Sequence, residues 1–373
     1  MDNTKVFSAD LEFSRRALEL AREGLGQVSP NPLVGCVVVS SAGEIVGEGT
    51  YVRSGIIHAE VIALNQAGEK ARGGTAYVSL EPHNHHGRTP PCTDALISAG
   101  IKRVVSPIED PNPLVSGRGF ARLREAGIEV LTGILEKEAI RVNEKFICWH
   151  KRKRPFIHLK MALSLDGRIS LSRNVSSRLS GNEALAHVHS LRHESDAILI
   201  GANTAAVDDP QLTDRSRRPR SRPLVRIVLD SKLRISPNSN LARAGDASPT
   251  IIYTSEGANS SAKKIRRSGA EVVPIPSGPR NLQAVIEDLY KREIQSVLVE
   301  GGSEVAAAFL EAGLVDKITF IYSPLVIGGA APIAIGGKGA SSLLQAIRLR
   351  DLELDQLGDD FILTGYPTRE VEA

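Results

Sequence analysis

The residues best suited to chemistry lie in two short stretches. One is His58-Ala59-Glu60. The other is Glu81-Pro82-His83-Asn84-His85-His86-Gly87-Arg88-Thr89-Pro90-Pro91-Cys92, a turn-rich segment with three His and one Cys. Zinc is held by nitrogen and sulfur donors in a tetrahedral set, and a catalytic zinc keeps one position open. His58, His83 and Cys92 supply three such donors. Glu60, two residues from His58, is near enough to pass protons at the metal while staying off it. That set suits the replacement of an amine by oxygen, with Glu60 as general base and then acid. His85 or His86 is an alternative third ligand to His83. A His-Ala-Glu alone means little, and a polar His loop can bind nothing. The reading is narrowed by the combination: His-x-Glu at a helix start, Glu-Pro closing a strand, and Pro-Cys opening the next helix.

The elements around these residues must position them. A helix over 58–67 would carry Val61, Ile62 and Leu64 inward, with His58 at its N-terminus and Glu60 in its first turn. A buried strand over 75–80 leads into the second stretch, and Cys92 opens a short helix that Gly100 ends. Helix N-termini favour negative species, which biases Cys92 toward thiolate. Upstream, Leu11, Leu18, Ala21 and Leu25 recur at helical spacing and predict an amphipathic helix over 10–24. Strands over 33–40 and 44–50 form a hairpin about Ser41-Ala42-Gly43. Downstream come a strand over 101–106, an irregular loop over 109–119, a helix and strand within 120–131, and one helix over 135–149. This alternation predicts a layered α/β domain.

The charge run Lys151-Arg152-Lys153-Arg154, followed by Pro155, marks a domain boundary and reads as a solvated linker. It divides the chain into 1–150 and 151–373. Strands follow over 156–162, 197–200, 225–230, 250–253 and 297–299, with helices over 185–192, 259–267, 281–291 and 303–312. No Gly-x-Gly-x-x-Gly follows a strand. Val297-Leu298-Val299-Glu300-Gly301-Gly302-Ser303 does read as strand, glycine turn and helix start, a cradle suited to a pyrophosphate; such turns are also common at strand ends. Arg192 and Arg215 suit a phosphate, which a guanidinium binds bidentately. The neighbouring Arg217, Arg218, Arg220 and Arg222 read as a mobile, solvated loop. Lys160, on a strand entering the site, either orients a sugar or snorkels.

The whole chain sets bounds on these readings. Its 373 residues predict two domains, each with its own core. A hydrophobic content of 42% and a charged content of 24% are ordinary for a globular protein. A formal net charge of +3 argues against nucleic acid as the main partner. Cys36, Cys92 and Cys148 do not make a disulfide framework, which points to a reducing compartment and a cytoplasmic setting. No signal-peptide pattern opens the sequence, and no apolar run is long enough to span a membrane.

Several motifs together carry a family resemblance. In the first half they are Pro30-Asn31-Pro32-Leu33-Val34-Gly35, His58-Ala59-Glu60, Glu81-Pro82, His85-His86-Gly87-Arg88-Thr89-Pro90-Pro91-Cys92 and Asp110-Pro111-Asn112-Pro113. In the second they are Ser164-Leu165-Asp166-Gly167-Arg168, Asp208-Asp209-Pro210-Gln211-Leu212-Thr213 and Val299-Glu300-Gly301-Gly302-Ser303. Over nearly its full length the chain resembles the bifunctional riboflavin-biosynthesis deaminase/reductases of bacteria. The resemblance implies an α/β protein: a cytidine-deaminase-like, three-layer N-terminal domain that binds Zn2+, and a dihydrofolate-reductase-like C-terminal domain that binds NADPH. It implies hydrolysis of the 2-amino group of 2,5-diamino-6-ribosylamino-4(3H)-pyrimidinone 5′-phosphate, then reduction of the ribosyl group to ribityl. It implies a small phosphorylated pyrimidine as substrate, no nucleic-acid or membrane partner, and a homo-oligomer (dimer or tetramer).

By position, the resemblance makes His58, His83 and Cys92 zinc ligands, Glu60 the proton donor and Asn31 a substrate contact. In the second half it assigns Ser176, Arg192, Leu212, Arg215 and Glu300 to substrate. It assigns Ala162, Arg178, Thr204, Asp208, Ser231, Gly302, Ser303 and Glu304 to NADPH. Two departures stand out: Arg178 replaces a Trp found in many members, and His83 replaces a Cys found in most. Imidazole keeps the donor count but leaves the centre one unit more positive than a two-thiolate site, hence a stronger Lewis acid. An alternative is a working reductase whose first domain is inactivated at His83 and kept for structure. A third reading, a nucleic-acid-editing deaminase, is disfavoured by the near-neutral charge and the attached second domain.

Overall fold

The computed structural model describes residues 3–85, 90–173, 175–243, 248–255 and 260–368. Of the motif residues above, His86, Gly87, Arg88 and Thr89 lie outside the described set. The chain forms two compact units, Met1–Lys153 and Arg154–Ala373.

The first unit contains α1 (Asn3–Glu23), β1 (Gly35–Val39), β2 (Ile45–Thr50), α2 (Ala59–Ala67), β3 (Thr75–Val78) and α3 (Cys92–Ser98). It continues with β4 (Arg103–Ser106), α4 (Arg118–Glu125), β5 (Glu129–Thr132), α5 (Glu136–Val142) and α6 (Glu144–Arg152). The strands form one sheet in the order β2-β1-β3-β4-β5. β1 is antiparallel to β2 and β3, whereas β3, β4 and β5 run parallel. Every residue of β1 is buried, and its side chains alternate between two cores. Cys36 and Val38 join one cluster with Ala59, Ala63 and Leu96; Val37 and Val39 join another with Ala17 and Leu20. A strand buried on both faces needs an unbroken apolar run, and β1 has one.

Two expectations are corrected here. The inward face of α2 is made by Ala59, Ala63, Leu64 and Ala67, whereas Val61 and Ile62 are only half-buried. The reason is close packing. A Cβ on Gly47 would overlap the Ala63 carbonyl, and one on Gly49 would overlap that of Ala59. The helix lies almost on the backbone of β2, and only small residues fit between. The helix expected over 135–149 is two helices, broken at Asn143. The buried Asn143 side chain takes the Leu33 N–H (2.9 Å) and gives an N–H to the Leu33 carbonyl (2.9 Å). That pairing fastens the entry of β1 and draws Asn143 out of helical geometry.

The second unit contains β6 (Phe156–Ser164), α7 (Asn182–His193), β7 (Ala197–Gly201), α8 (Ala202–Asp208), β8 (Val225–Leu229), β9 (Thr250–Thr254) and α9 (Ser260–Arg267). It continues with β10 (Glu271–Pro274), α10 (Leu282–Lys291), β11 (Ser296–Val299), α11 (Ser303–Glu311), β12 (Lys317–Ser323), β13 (Arg348–Leu357) and β14 (Asp360–Thr368). Its sheet runs β10-β9-β8-β7-β11-β6-β12-β14-β13. β14 is antiparallel to β12, and β13 to β14; the other neighbours are parallel. On β7, Ala197 and Leu199 face one core while Ile198 and Ile200 face another, so helices cover both sides. Arg154 pairs bidentately with the buried Asp316 at 2.6 and 2.8 Å, so the last residue of the basic run is not solvated.

Candidate active sites of the two units

In the first unit, three different connections converge. His58 is the N-cap of α2 and makes no side-chain capping bond, so its ring is free for another partner. His83 follows β3, and its ring lies 4.4 Å from that of His58, centroid to centroid. Cys92 is the first residue of α3 and is fully buried. The ligating atoms of His58, His83 and Cys92 all lie within 4.8 Å of one another. Among the described residues this is the one group of metal-binding side chains so gathered. Glu60, in the first turn of α2, is 2% exposed, and its Oε2 has no hydrogen-bond partner.

The donor set fits zinc: two imidazoles, one thiol and an orphaned buried carboxylate oxygen beside them. Burial, then the rings of His58 and His85, push His83 down to about 4, so its imidazole is neutral at physiological pH with a lone pair to give. Without a metal, burial and then the Glu60 charge push the Cys92 thiol up. The thiolate therefore needs a cation beside it.

The walls of this site are built from afar. Glu81, 3% exposed, accepts backbone N–H groups from Asp110 (3.0 Å), Gly117 (2.9 Å), Gly119 (2.8 Å) and Phe120 (3.2 Å). One carboxylate thus organises the whole irregular loop and the start of α4. A Cβ on Gly119 would overlap the Pro82 carbonyl, so the loop packs directly on the backbone beside His83. Thr93 donates its N–H to the His83 carbonyl (3.3 Å) and its hydroxyl to Asn84 Oδ1 (3.0 Å), tying the His loop to α3. Asn31 donates to the Tyr51 hydroxyl at 2.6 Å, and the Tyr51 ring lies 5.3 Å from His58. Sequence reasoning missed Tyr51 because no spacing marks a side chain that acts across twenty residues. It quoted Glu81 in a motif without reading its role.

In the second unit, Glu300 at the end of β11 is held by Arg192 of α7 through two bonds, of 2.8 and 2.9 Å. Lys160 of β6 stands 3.9 Å from the same carboxylate. Burial pushes Glu300 upward, but Arg192 and Lys160 prevail and hold it below the usual carboxylate range. Burial lowers Lys160. Arg192 spends its third nitrogen on the Thr213 carbonyl (3.2 Å), which leaves Arg215, exposed and bonded to Gln211 and Thr213, as the freer guanidinium.

At the start of α11, a Cβ on Gly302 would meet Thr204 Oγ1 at 3.5 Å, so Thr204, Gly302 and Ser303 are neighbours. Glycine at 201 and at 301 lets Val305 approach both strand ends. Ala162 is half-buried on β6, and Glu304 is exposed in the first turn of α11. Ser176 is exposed. Arg178 is turned to Asn182 (2.6 Å) and the Ser180 carbonyl. Asp208 ends α8 exposed, and Ser231 lies beyond β8. Leu212 is 5% exposed inside a core cluster, so its side chain shapes the interior. The reading of the arginine loop is corrected: Arg220 caps α7 through the carbonyls of Arg192, His193 and Ser195, and Arg222 bonds the Glu293 carbonyl.

Comparison with known proteins places this architecture. Residues 155–363 match the RibD C-terminal domain family. Residues 7–107 match the cytidine and deoxycytidylate deaminase zinc-binding region. The riboflavin biosynthesis protein RibD of Aquifex aeolicus is 41% identical over 354 residues, covering 95% of this chain and 97% of that one. The chain belongs to the RibD family. The RibD of Escherichia coli is 40% identical over 365 residues, covering 95% and 98% of the two chains. Among solved structures, RibD of Acinetobacter baumannii superposes with a TM-score of 0.87 at 34% identity, covering 97% of this chain and all of that one. A Thermotoga maritima protein described as a diaminohydroxyphosphoribosylaminopyrimidine deaminase/5-amino-6-(5-phosphoribosylamino)uracil reductase gives 0.86 at 36% identity, covering 97% and 99%. The two units of a RibD protein, a zinc-binding deaminase domain and a reductase domain, are both present here.

Proposed function

We propose that the residues gathered in each unit divide the work of a RibD enzyme as follows. The protein is a bifunctional enzyme of riboflavin biosynthesis, a zinc-dependent deaminase and an NADPH-dependent reductase. Its substrate is the phosphorylated diaminopyrimidine, deaminated first and then reduced at the ribosyl group. His58, His83 and Cys92 hold the zinc, whose Lewis acidity, when bound, makes water a nucleophile at neutral pH. Glu60 takes a proton from the attacking water and returns it to the departing amine, which leaves as ammonia while the water oxygen stays on the ring. The orphaned Oε2 supports that role, since it is free of protein partners. Asn31, steadied by Tyr51, contacts the pyrimidine.

In the second unit Glu300 binds the ribose, and Arg192 and Lys160 fix its charge and direction. Lys160 orients the sugar. Arg215 meets the phosphate, and Leu212 lines the site from the core. Ser176 closes the substrate side. Thr204, Gly302, Ser303 and Glu304 cradle NADPH at the helix start, with Ala162, Arg178, Asp208 and Ser231 along its length. NADPH supplies the hydride when bound. A homo-oligomer, dimer or tetramer, is supported by the exposed edge strand β13, which displays Leu352 and Leu354. A cytoplasmic setting is supported by the buried thiols of Cys36 and Cys92, which form no disulfide. No helix among the described residues is long and apolar enough to cross a membrane.

The observation that carries the deaminase reading is the convergence of three ligand atoms within 4.8 Å beside Glu60. It weighs against a first unit kept only for structure. The test is Glu60→Gln with the half-reactions assayed separately and metal content measured. Deamination falls by about 10²–10⁴-fold, the scale of general acid–base catalysis, while zinc content and NADPH-dependent reduction are unchanged. A metal-free, deaminase-dead but reducing wild type would overturn the reading.

A further inference from the structure

The segment between β12 and β13 has no regular structure over 324–338, yet it is fastened at point after point. Asp166, in the turn after β6, accepts the Ile327 N–H on Oδ1 (3.0 Å) and the Gly328 N–H on Oδ2 (2.7 Å). The Ser164 hydroxyl steadies the same carboxylate at 2.6 Å, and Arg168 stands 3.7 Å away. Backbone bonds continue the seam: Leu165 N–H to Leu325 O (2.8 Å), Ile169 N–H to Pro332 O (3.0 Å) and Ala334 N–H to Gly167 O (2.9 Å). The Arg168 guanidinium adds a bond to the Ala331 carbonyl (2.8 Å).

The far end of the same segment is pinned to α11. Gly336 donates its N–H to the Ser303 carbonyl (3.2 Å), and Lys338 donates its own to Glu311 Oε1 (2.7 Å). A Cβ on Gly336 would crowd Ser303 Oγ, and one on Gly337 would overlap Glu311. The strap therefore joins the end of β6 to the helix start where Gly302 and Ser303 meet Thr204. Gly328 and Gly329 both have positive φ (69° and 58°). An L side chain would adopt that conformation only with strain, so glycine is required where the strap turns beside Asp166. Hydrogen bonds from Ser164, Ile327 and Gly328 hold the Asp166 carboxyl below its ordinary range, so it is ionised throughout the working pH range.

We propose that Asp166 is a positioning residue of the reductase: it latches the 324–338 strap between β6 and α11 and so fixes the NADPH cradle against the ribose site. This rests on the reading of Gly302, Ser303 and Glu300 as cofactor and substrate contacts. The partners of the Asp166 carboxylate are Ser164, Ile327, Gly328 and Arg168, so it acts through the strap. Hydride transfer requires the donor and acceptor carbons to be held in near-attack geometry, and a small displacement of one wall is enough to slow it. Lys160 and Ala162 on β6, and Ser303 on α11, are the two walls that the strap ties together.

The test uses the full-length zinc-loaded enzyme with Asp166→Ala and Asp166→Asn, and Arg215→Ala alongside. The reductase half-reaction is followed with NADPH and with NADPH deuterated at the transferred position, and deamination is measured as a control. Asp166→Ala lowers reductase kcat by tenfold or more and raises the deuterium isotope effect, while deamination holds. Asp166→Asn, which keeps the shape and one acceptor, recovers part of the rate. Arg215→Ala raises KM for the phosphorylated substrate and leaves the isotope effect alone. Unchanged kcat and isotope effect in both Asp166 variants, with Arg215→Ala active on KM, overturn the latch and leave the site reading standing. If Arg215→Ala is silent as well, the site reading fails and the latch with it. Equal loss of deamination and reduction in Asp166→Asn marks a general folding defect and also overturns the proposal.

Discussion

As a proposed ligand, His83 would change the centre without emptying it. Imidazole and thiolate each donate one electron pair, so the ligand count survives while the charge changes. The ring sits 4.4 Å from His58 and is neutral at working pH, as a zinc ligand must be. Loss of a residue that only supports a ligand costs 10–100-fold in metal affinity, so loss of the ligand itself costs at least about 100-fold. We expect His83→Ala to lose zinc on dialysis and His83→Cys to keep it, as metal analysis would show. A fully metallated His83→Ala would put His85 or another group in the ligand's place. The placement of His58, Glu60 and Cys92 at helix starts was legible because it depends on local spacing. The placing of Tyr51 and Glu81 was not, because Tyr51 bonds Asn31 and Glu81 bonds loop backbone twenty or more positions away. Asp110, beside the Glu81 nest, is a second residue with a measurable signature. Burial lifts its carboxyl to about 6; the Asn112 N–H opposes this, and the Glu81 charge adds to it. The folded state thus holds this proton more tightly than the unfolded one, so its contribution to stability rises as pH falls through 6 and is complete below about 4. Asp110→Asn keeps an oxygen for the Asn112 N–H and removes the buried charge. It should be more stable than wild type by about 1–2 kcal/mol at pH 7.5, with the gap closing toward pH 4, in urea unfolding followed by Trp149 fluorescence. A gap independent of pH would place Asp110's proton elsewhere.

At the scale of elements, the decisive contact is between α2 and β2. Helical periodicity selects bulky residues for the inward face, and here it pointed to Val61 and Ile62. Leu64 does face inward, but the rest of that face is Ala59, Ala63 and Ala67, because Gly47 and Gly49 bring the helix onto the strand. Hydrophobicity alone cannot reveal that, since the signal lies on the partner strand. Asn143 teaches the same lesson: a polar residue inside a helical pattern broke it because Leu33, 110 residues away, needed both its amide atoms. Strands such as β1 and β7 were legible because both of their faces are apolar. The C-terminal β13–β14 pair was not read, since β13 is exposed almost throughout and carries charges along its length. The helix-on-strand contact is testable. In Gly49→Ala the new methyl meets the Ala59 carbonyl, and overpacking of this kind costs about 1–3 kcal/mol. The relief available is for α2 to move away from the sheet, and His58 and Glu60 move with it. We expect weaker zinc retention and lower deamination together, with reduction unaffected. Reduced stability with zinc and deamination at wild-type levels would show that α2 does not set the site geometry.

At the scale of the molecule, the two units have separate cores. One pair of apolar clusters lies wholly within Met1–Lys153, and three lie wholly within Arg154–Ala373. The chain divides between Lys153 and Arg154, within the basic run, and Arg154 is bonded inside the second unit. Separate cores imply separable stabilities, and the two cofactors then act as local probes. A ligand that binds only the folded state adds RT ln(1 + [L]/Kd), about 2.7 kcal/mol at a hundredfold excess over Kd. The proposed zinc ligands come from α2, the His loop and α3, all within the first unit, so stabilisation by zinc would belong there alone. The single tryptophan, Trp149, lies in α6 of the same unit and reports on it. Chelation should therefore lower the Trp149-monitored midpoint by several degrees, at about 2–4 °C per kcal/mol for a unit of this size, while NADPH-dependent reduction persists. Added NADPH should protect the reductase activity against heat and leave the Trp149 midpoint in place. If chelation removes both activities in step, or if NADPH raises the Trp149 midpoint as zinc does, the units unfold as one cooperative body and their separate cores do not confer separate stability.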